Sequence, residues 1–213
     1  MSTAAPARGL VAIFADESCL GNGREGENPG GAGALIEYRR GASSATVRRD
    51  LWISERATTN NRMALRSVIA SFTELAAKGK AFDVVFTTDS RYIVDGMTDW
   101  VFGWAQRGWK RKTGPIENLD LWAEALRAAR PHAVRWAWVR GHAGHAQNEY
   151  ANHLATRAAA ALDASDGLVA SGFAEWFASA KAAGARHSNP AAFPDPRSFR
   201  AHPDLPMPPG IAA

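Results

Sequence analysis

Short runs of apolar and β-branched residues are interleaved along the chain with longer segments in which apolar positions recur at helical spacing. The short runs predict five strands, at residues 10–15, 34–38, 47–54, 84–88 and 134–139. The longer segments predict helices over residues 60–78, 90–104, 119–130 and 148–161. A glycine-rich stretch over residues 21–33 predicts a turn between the first two strands.

This order of elements predicts an α/β fold. The first three strands follow one another directly, which favours an antiparallel meander. The later strands each follow a helix, so we expect strand 84–88 to lie parallel to strand 10–15. A mixed five-stranded sheet with helices on both faces is the expected arrangement.

The pattern also divides the chain into three parts. Residues 1–9 are small and polar and are expected to be disordered, and residues 10–163 carry all the predicted strands. Residues 164–213 form an extension with one short predicted helix over 172–183. Seven prolines follow residue 188, which favours a disordered or extended tail.

Composition limits the cellular compartments in which the protein is expected. The apolar runs are too short for a transmembrane helix, and the N-terminus lacks the apolar region of a secretion signal. The single cysteine, Cys19, excludes an internal disulfide framework and is typical of a reducing cytoplasm. No feature indicates oligomerisation, so a monomer is expected.

The net charge of +4 is modest, but the basic residues are clustered. One cluster lies close to Trp104 and Trp109 in the sequence and contains Arg107, Lys110, Arg111 and Lys112. Basic residues interleaved with tryptophan are typical of surfaces that contact phosphates. A solvated loop with tryptophan packed beneath it is the alternative interpretation.

Two aspartates close predicted strands: Asp16 follows residues 10–15, and Asp89 follows residues 84–88. At the carboxyl ends of neighbouring parallel strands they could bind a divalent cation and hold it against a phosphate. Taken singly, each aspartate could equally be a helix cap or turn former.

Several separated segments agree in order with one known family. They are residues 13–22 (IFADESCLGN), 58–63 (TTNNRM), 88–92 (TDSRY), 107–110 (RGWK), 118–122 (NLDLW) and 138–145 (WVRGHAGH). Over residues 10–160 the chain therefore resembles bacterial type I ribonuclease H. The resemblance implies the ribonuclease H-like fold and a Mg²⁺-dependent endonuclease, with Mn²⁺ as a substitute, that hydrolyses the RNA strand of RNA/DNA hybrids.

The resemblance also assigns roles to individual residues. Asp16 and Asp89 match metal ligands, and His142 matches a mobile histidine linked to proton transfer or product release. Residues implied to contact the hybrid are Asn22, Thr59, Asn60, Asn61, Arg107, Trp109, Lys110, Arg111, Lys112 and Asn118. Asn60 and Asn61 would read the minor groove, although either could instead cap the following helix.

The chain departs from the family pattern at two acidic positions. Ala64 replaces a metal-binding glutamate, and Asn152 replaces a fourth acidic ligand while keeping an amide oxygen. Glu17 stands where the family usually has glycine and could compensate. Strand alternation, however, directs Glu17 away from Asp16 unless the strand ends or bulges there. Glu25 and Glu27 lie in the glycine-rich turn and could also overhang the site.

Three hypotheses remain open from the sequence. The chain could be an active enzyme with a substituted ligand set, or a module that binds hybrids without cleaving them. It could also carry Ala64 and Asn152 as substitutions that trap substrate. Under the first and third hypotheses, combining Ala64→Glu with Asn152→Asp is expected to raise activity.

Overall fold

The computed structural model describes residues 8–21, 28–41, 44–187 and 189–209. Its centre is a six-stranded mixed sheet with the order β5-β4-β1-β2-β3-β6. The strands are β1 (Gly9–Cys19), β2 (Gly30–Tyr38), β3 (Val47–Glu55), β4 (Phe82–Thr88), β5 (Ala133–Trp138) and β6 (Val169–Ala170). The α/β prediction is confirmed, but the sheet has one strand more than expected. The additional strand β6 is two residues long and pairs antiparallel with β3.

Helices cover both faces of this sheet. They are α1 (Asn60–Ala76), α2 (Arg91–Asp95), α3 (Val101–Gln106), α4 (Leu119–Ala129), α5 (Ala146–Ala161) and α6 (Phe173–Ala182). The helix expected over residues 90–104 is interrupted by a π-helical turn, Gly96–Trp100, between α2 and α3. A side chain at Gly96 would overlap the Trp122 ring, so glycine permits the helix to pack closely there.

The central strand β1 separates two packed layers. Its odd-numbered residues Val11, Ile13 and Ala15 belong to the larger apolar core, which also contains Ala64 of α1. Its even-numbered residues pack with α5 and α6 in a second cluster. This is the alternation expected of a strand buried on both faces.

The glycine-rich stretch is only partly a turn. Gly31 and Gly33 lie inside β2, where a Cβ atom would overlap the backbone of α5 at Ala155 and Ala151. These two glycines therefore permit the backbone of the helix to approach the backbone of the strand. The predicted start of the second strand at residue 34 was consequently too late.

The C-terminal extension packs on the sheet and on α5. Beyond β6, Phe173 is buried in the second cluster. In the proline-rich segment, the His202 backbone N–H donates to Val134 O at 2.8 Å, and His202 Nδ1 accepts from Trp136 N at 3.0 Å. Leu205 is buried in the larger core. Apart from a short 3₁₀ turn at Pro196–Ser198, the described part of the tail is extended, and His202 holds it against β5. Residues 1–7 of the N-terminal segment that was expected to be disordered lie outside the described residues.

Within the described ranges, no helix is both long and apolar enough to cross a membrane.

Candidate active site

Asp16 and Asp89 meet because of the register between β1 and β4. These strands pair in parallel from Gly9 opposite Phe82 to Phe14 opposite Thr87. Continuing the same offset places Asp16 opposite Asp89, immediately beyond the last paired residues. The two carboxylates therefore share the carboxyl edge of the central strands, as the sequence predicted. β1 itself continues to Cys19 through its pairing with β2.

Asp16 is buried, with 5% of its surface exposed. Burial, followed by the charges of Asp89 and Glu17, raises the pKa of Asp16 from 3.8 to about 9. The Glu17 backbone N–H, 2.7 Å from Oδ1, partly opposes this rise, and Asn148 Nδ2 also donates to Oδ2 at 3.2 Å. Asp16 is thus an acid held in place by two hydrogen bonds but without a neutralising positive charge beside it among the described ion pairs.

Glu17 lies on the opposite face of β1 from Asp16. Its pairing with Ala32 of β2 is regular, without a bulge. It continues the odd-numbered row of β1, whose other members face α1. Nevertheless its carboxyl group lies close enough to the end of β4 for the Ser90 side chain and the charge of Asp89 to affect its pKa. Burial first, and Asp89 second, raise its pKa from 4.5 to about 8.

Asp89 contributes by its charge to the raised pKa of both Asp16 and Glu17. It follows the last residue of β4 and lies beyond the residues of β4 that pair with β1 and β5. Burial raises its pKa, and hydrogen bonds from its own backbone N–H and from Asn148, together with the charge of His142, partly offset that rise. Gly141 lies against Asp89 Oδ2, and a Cβ atom at this position would overlap it. The carbonyl oxygen of Asp89 accepts from Trp138 Nε1 at 3.0 Å.

The first turn of α5 supplies a neutral side chain that the sequence analysis missed. His145 caps this helix, with Nδ1 accepting from Asn148 N at 3.3 Å. The Asn148 side chain is 2% exposed and donates to Asp16 and Asp89. The position was visible in the resemblance, as the asparagine that follows the histidine turn, but its bridging role required the tertiary structure.

Asn152 follows Asn148 by one helical turn and therefore lies along the same side of α5. It is half-buried. Ala64, by contrast, is fully buried in the apolar core beneath α1. The two substituted positions thus differ: one remains polar beside the site, and the other has become part of the core.

His142 lies on the exposed rim. Its backbone has a φ of 50°, and its side chain is 77% exposed. Its Nδ1 is 3.9 Å from Glu149 Oε2, while Glu149 Oε1 accepts from Gly144 N at 3.2 Å. The loop thus presents the imidazole to solvent next to an acidic residue that anchors the same loop.

These groups can hold a divalent metal ion. Asp16, Glu17 and Asp89 offer hard oxygen donors. Burial raises the pKa of all three, and the charge of Asp89 adds to the rise for Asp16 and Glu17, so a bound cation would stabilise their ionised forms. Within the described ranges, no three acidic, histidine or cysteine side chains already converge as a closed cation cage.

Comparison with known proteins identifies the family and the fold. The RNase H family model matches residues 8–160. The chain belongs to the ribonuclease H family. Ribonuclease H of Pectobacterium carotovorum subsp. carotovorum is 44% identical over 155 residues, which cover 72% of this chain and 92% of that protein. Ribonuclease H of Sodalis glossinidius is 42% identical, covering 71% of this chain and 86% of that protein.

A solved structure extends the likeness to nearly the whole chain. LC9-RNase H1, described as a type 1 RNase H with the type 2 active-site motif, is 61% identical. Its structure superposes with a TM-score of 0.90, covering 99% of this chain and 100% of that one. This ribonuclease H is therefore an enzyme whose family cleaves RNA/DNA hybrids and depends on divalent metal ions.

Several of the residues that the sequence predicted to contact the hybrid lie at or near the start of α1. Thr59, rather than either asparagine, caps the helix, with Oγ1 accepting from Arg62 N at 3.3 Å. Asn61 is exposed, while Asn60 is half-buried and its Oδ1 has no hydrogen-bond partner within the described part of the chain. Asn118, with a φ of 54°, accepts from Arg62 at 3.5 Å and donates to Tyr92 Oη at 3.4 Å. Asn118 therefore links α1 to the helix that follows Asp89.

The basic loop of this ribonuclease H exposes Arg107, Lys110, Arg111 and Lys112. Trp109 is only 9% exposed and belongs to the larger core, so its indole is not available as a surface platform. Its φ of 61° turns the backbone so that the ring points inward. Beside the loop lies a cavity of about 460 Å³ whose wall includes Trp100, Arg107 and Lys112. Asn22, Glu25 and Glu27, named from the sequence, lie outside the described residues.

Proposed function

We propose that this ribonuclease H cleaves the RNA strand of a hybrid with Asp16, Glu17 and Asp89 as its acidic ligands and Asn152 as a neutral fourth. The supporting observation is the position of Glu17. Strand alternation carries its side chain to the α1 side of the sheet, which is the layer where the family's glutamate would project from position 64. A carboxylate from β1 thus serves in place of one from α1.

The donor set favours Mg²⁺, with Mn²⁺ as a substitute, because all the proposed ligand atoms are carboxylate or amide oxygens. When bound, such ions would activate the attacking water and stabilise the leaving oxygen of the phosphodiester. The buried Asp16 would be held in position by Glu17 N and Asn148. His142, exposed on the rim beside Glu149, would exchange a proton with the product side of the cleaved bond or assist its release.

The hybrid would lie across this edge of the sheet. Asn60 and Asn61 would contact its minor groove, where 2′-hydroxyls distinguish RNA from DNA. Thr59, Asn118 and the four basic residues of the exposed loop would contact phosphates. LC9-RNase H1, described as having the type 2 motif within a type 1 protein, supports an unusual distribution of acidic ligands in this chain as well. We further infer a monomer that acts in the cytoplasm.

The test uses a labelled RNA/DNA hybrid with Mg²⁺ and, separately, Mn²⁺. The variants are Asp16→Asn, Glu17→Gln and, as a matched control, Glu175→Gln on the exposed start of α6. We expect the wild type to cleave and both site variants to lose activity by about 100-fold or more. The control should cleave like the wild type.

Two outcomes would overturn parts of the proposal. Tight hybrid binding by the wild type without cleavage in either metal would identify a binding module instead of an enzyme. Equal activity of Glu17→Gln and Glu175→Gln would remove Glu17 from the ligand set, while leaving the assignment of Asp16 intact.

A further inference from the structure

The extension beyond residue 163 is hydrogen-bonded to α5, the helix that carries the neutral side chains Asn148 and Asn152. Gln147 lies in the first turn of α5 and is fully buried. Its amide makes a reciprocal pair of hydrogen bonds with one backbone residue 44 positions later. Gln147 Nε2 donates to Ala191 O at 2.9 Å, and Ala191 N donates to Gln147 Oε1 at 3.0 Å. One N–H and the oxygen of this buried amide are thus hydrogen-bonded by the extension.

A second connection lies one helical turn further along α5. Tyr150 donates to Asp50 Oδ2 at 2.5 Å, and Gly172 N donates to the same oxygen at 3.0 Å. The Tyr150 ring also packs edge-to-face against Phe173, with ring centroids 5.3 Å apart. The extension therefore contacts α5 at positions 147 and 150, which lie three residues apart on one side of the helix.

The same helix also lies against the sheet. Ala151 and Ala155 touch Gly33 and Gly31 so closely that no side chain could be added to either glycine. Hence α5 contacts both β2 and the extension, and residues 147, 150 and 151 lie close together around the helix. Asn148, the residue after Gln147, donates a hydrogen bond to Asp16 of β1. A small rotation of the first turn would therefore move the Asn148 amide relative to the carboxylates.

We propose that Gln147 is a positioning residue: by binding Ala191, it uses the C-terminal extension to fix the first turn of α5 and the amides of Asn148 and Asn152 over the metal-binding carboxylates. This inference rests on the proposed function and deepens it. Outer hydrogen-bond partners of metal-site groups fix the orientation of those groups, and their loss weakens metal binding although they touch no metal. The extension thereby acts on the site without contacting the hybrid.

The test compares two full-length variants that each remove one side-chain contact between the family domain and the extension. Gln147→Leu removes the pair with Ala191. His202→Ala, the matched control, removes the bond from Trp136 N at the far edge of the sheet. Both should lower the melting temperature. Three further measurements distinguish them: hydrogen exchange of the α5 first-turn amides without metal, Mn²⁺ binding by calorimetry, and the separate kcat and KM values for hybrid cleavage.

For Gln147→Leu we expect faster exchange at the Asn148 and Glu149 amides. Mn²⁺ affinity should fall about tenfold, and kcat should fall while KM for the hybrid changes by less than about twofold. His202→Ala should leave all three unchanged at temperatures where it is folded. If Gln147→Leu behaves like His202→Ala in every measurement, the extension only stabilises the fold and the proposal is wrong. If the wild type neither binds Mn²⁺ nor cleaves, the proposed function fails, and the exchange data alone still decide whether Gln147 fixes the turn.

Discussion

Helices α1 and α5 both begin at the edge of the sheet where the carboxylates meet, yet they contribute in opposite ways. The first two turns of α1 place the small apolar side chain of Ala64 in the core. The first turn of α5 buries two amides, Gln147 and Asn148. Neither helix places an acidic side chain among the carboxylates at these inward positions. The comparison teaches that the negative charge of this site is concentrated on the strands, with the helices providing packing on one side and hydrogen-bond donors on the other.

The largest effect is expected when the Glu17 carboxylate is removed from β1 and a glutamate is then placed at position 64 of α1. Glu17→Gly should reduce cleavage by about 100-fold, because one of three charged ligands is lost. Adding Ala64→Glu in that background should recover at least about tenfold, since a glutamate from α1 would enter the same layer.

Ala64→Glu alone, in the wild-type background, should be harmful instead of beneficial. Ala64 is fully buried among apolar side chains, so Ala64→Glu alone should cost about 3 kcal/mol of the free energy of unfolding. It should bring no gain in activity while Glu17 is present, which revises the expectation drawn from sequence. Hybrid cleavage and thermal melting measure both effects. If Ala64→Glu lowered activity and stability equally in the wild type and in Glu17→Gly, Glu17 would not take the place of a glutamate at position 64.

On the α5 side, two isosteric substitutions should separate two asparagines. Asn148→Asp replaces a donor to Asp16 and Asp89 with a like charge, and should lower kcat by about tenfold. Asn152→Asp adds a charge where the family has one, and should strengthen Mn²⁺ binding severalfold. Calorimetry and steady-state kinetics measure both. Changes of the same sign in both variants would mean that the two amides have the same role.

Substitutions in the basic loop should have smaller effects on hybrid cleavage than those at the carboxylates. Arg111→Gln and Lys112→Gln should each raise KM for the hybrid about threefold and reduce the slope of log affinity against log salt by about 0.9 per lost phosphate contact. Arg130→Gln, at the exposed end of α4, is the matched control. An unchanged salt slope in all three variants would place the hybrid away from this loop.

The smallest effect concerns stability against pH in the presence of a chelator. Because the pKa of Asp16 is raised to about 9, the folded chain retains a proton that the unfolded chain releases near pH 4. Stability should therefore fall as pH rises from about 4 to about 9. Asp16→Asn removes the contribution of Asp16 to this dependence, while Glu17 and Asp89 keep theirs, and it should raise the melting temperature at pH 8 by about 3 °C or more. If the gain in melting temperature of Asp16→Asn over the wild type became smaller as pH increased, the assigned burial of the Asp16 carboxylate would be wrong.

The sequence predicted the α/β fold and the meeting of Asp16 with Asp89 because both depend on strand order and periodicity. It missed β6, which is too short to carry a periodic pattern. It also treated the glycines of β2 as a turn, because a glycine that admits a neighbouring helix has the same local signal as one that reverses the chain.

At the site, the sequence reasoning about Glu17 was geometrically sound but incomplete. Strand alternation does direct Glu17 away from Asp16. What alternation could not reveal is that Asp89 lies beyond the last paired residue and contributes to the pKa shifts of both neighbours. Likewise, the burial of Trp109 and the bond between Gln147 and Ala191 depend on contacts between segments that no local pattern encodes.

Asp16 and Glu17 are adjacent in the chain but serve different layers of the molecule. Under the proposed ligand assignment, one backbone segment fixes the relative position of two ligands, so residue 64 of α1 has no metal contact to preserve. Two adjacent codons then encode both ligands. Position 64 can vary for packing alone, while Asp89 at the end of β4 must still meet this segment of β1.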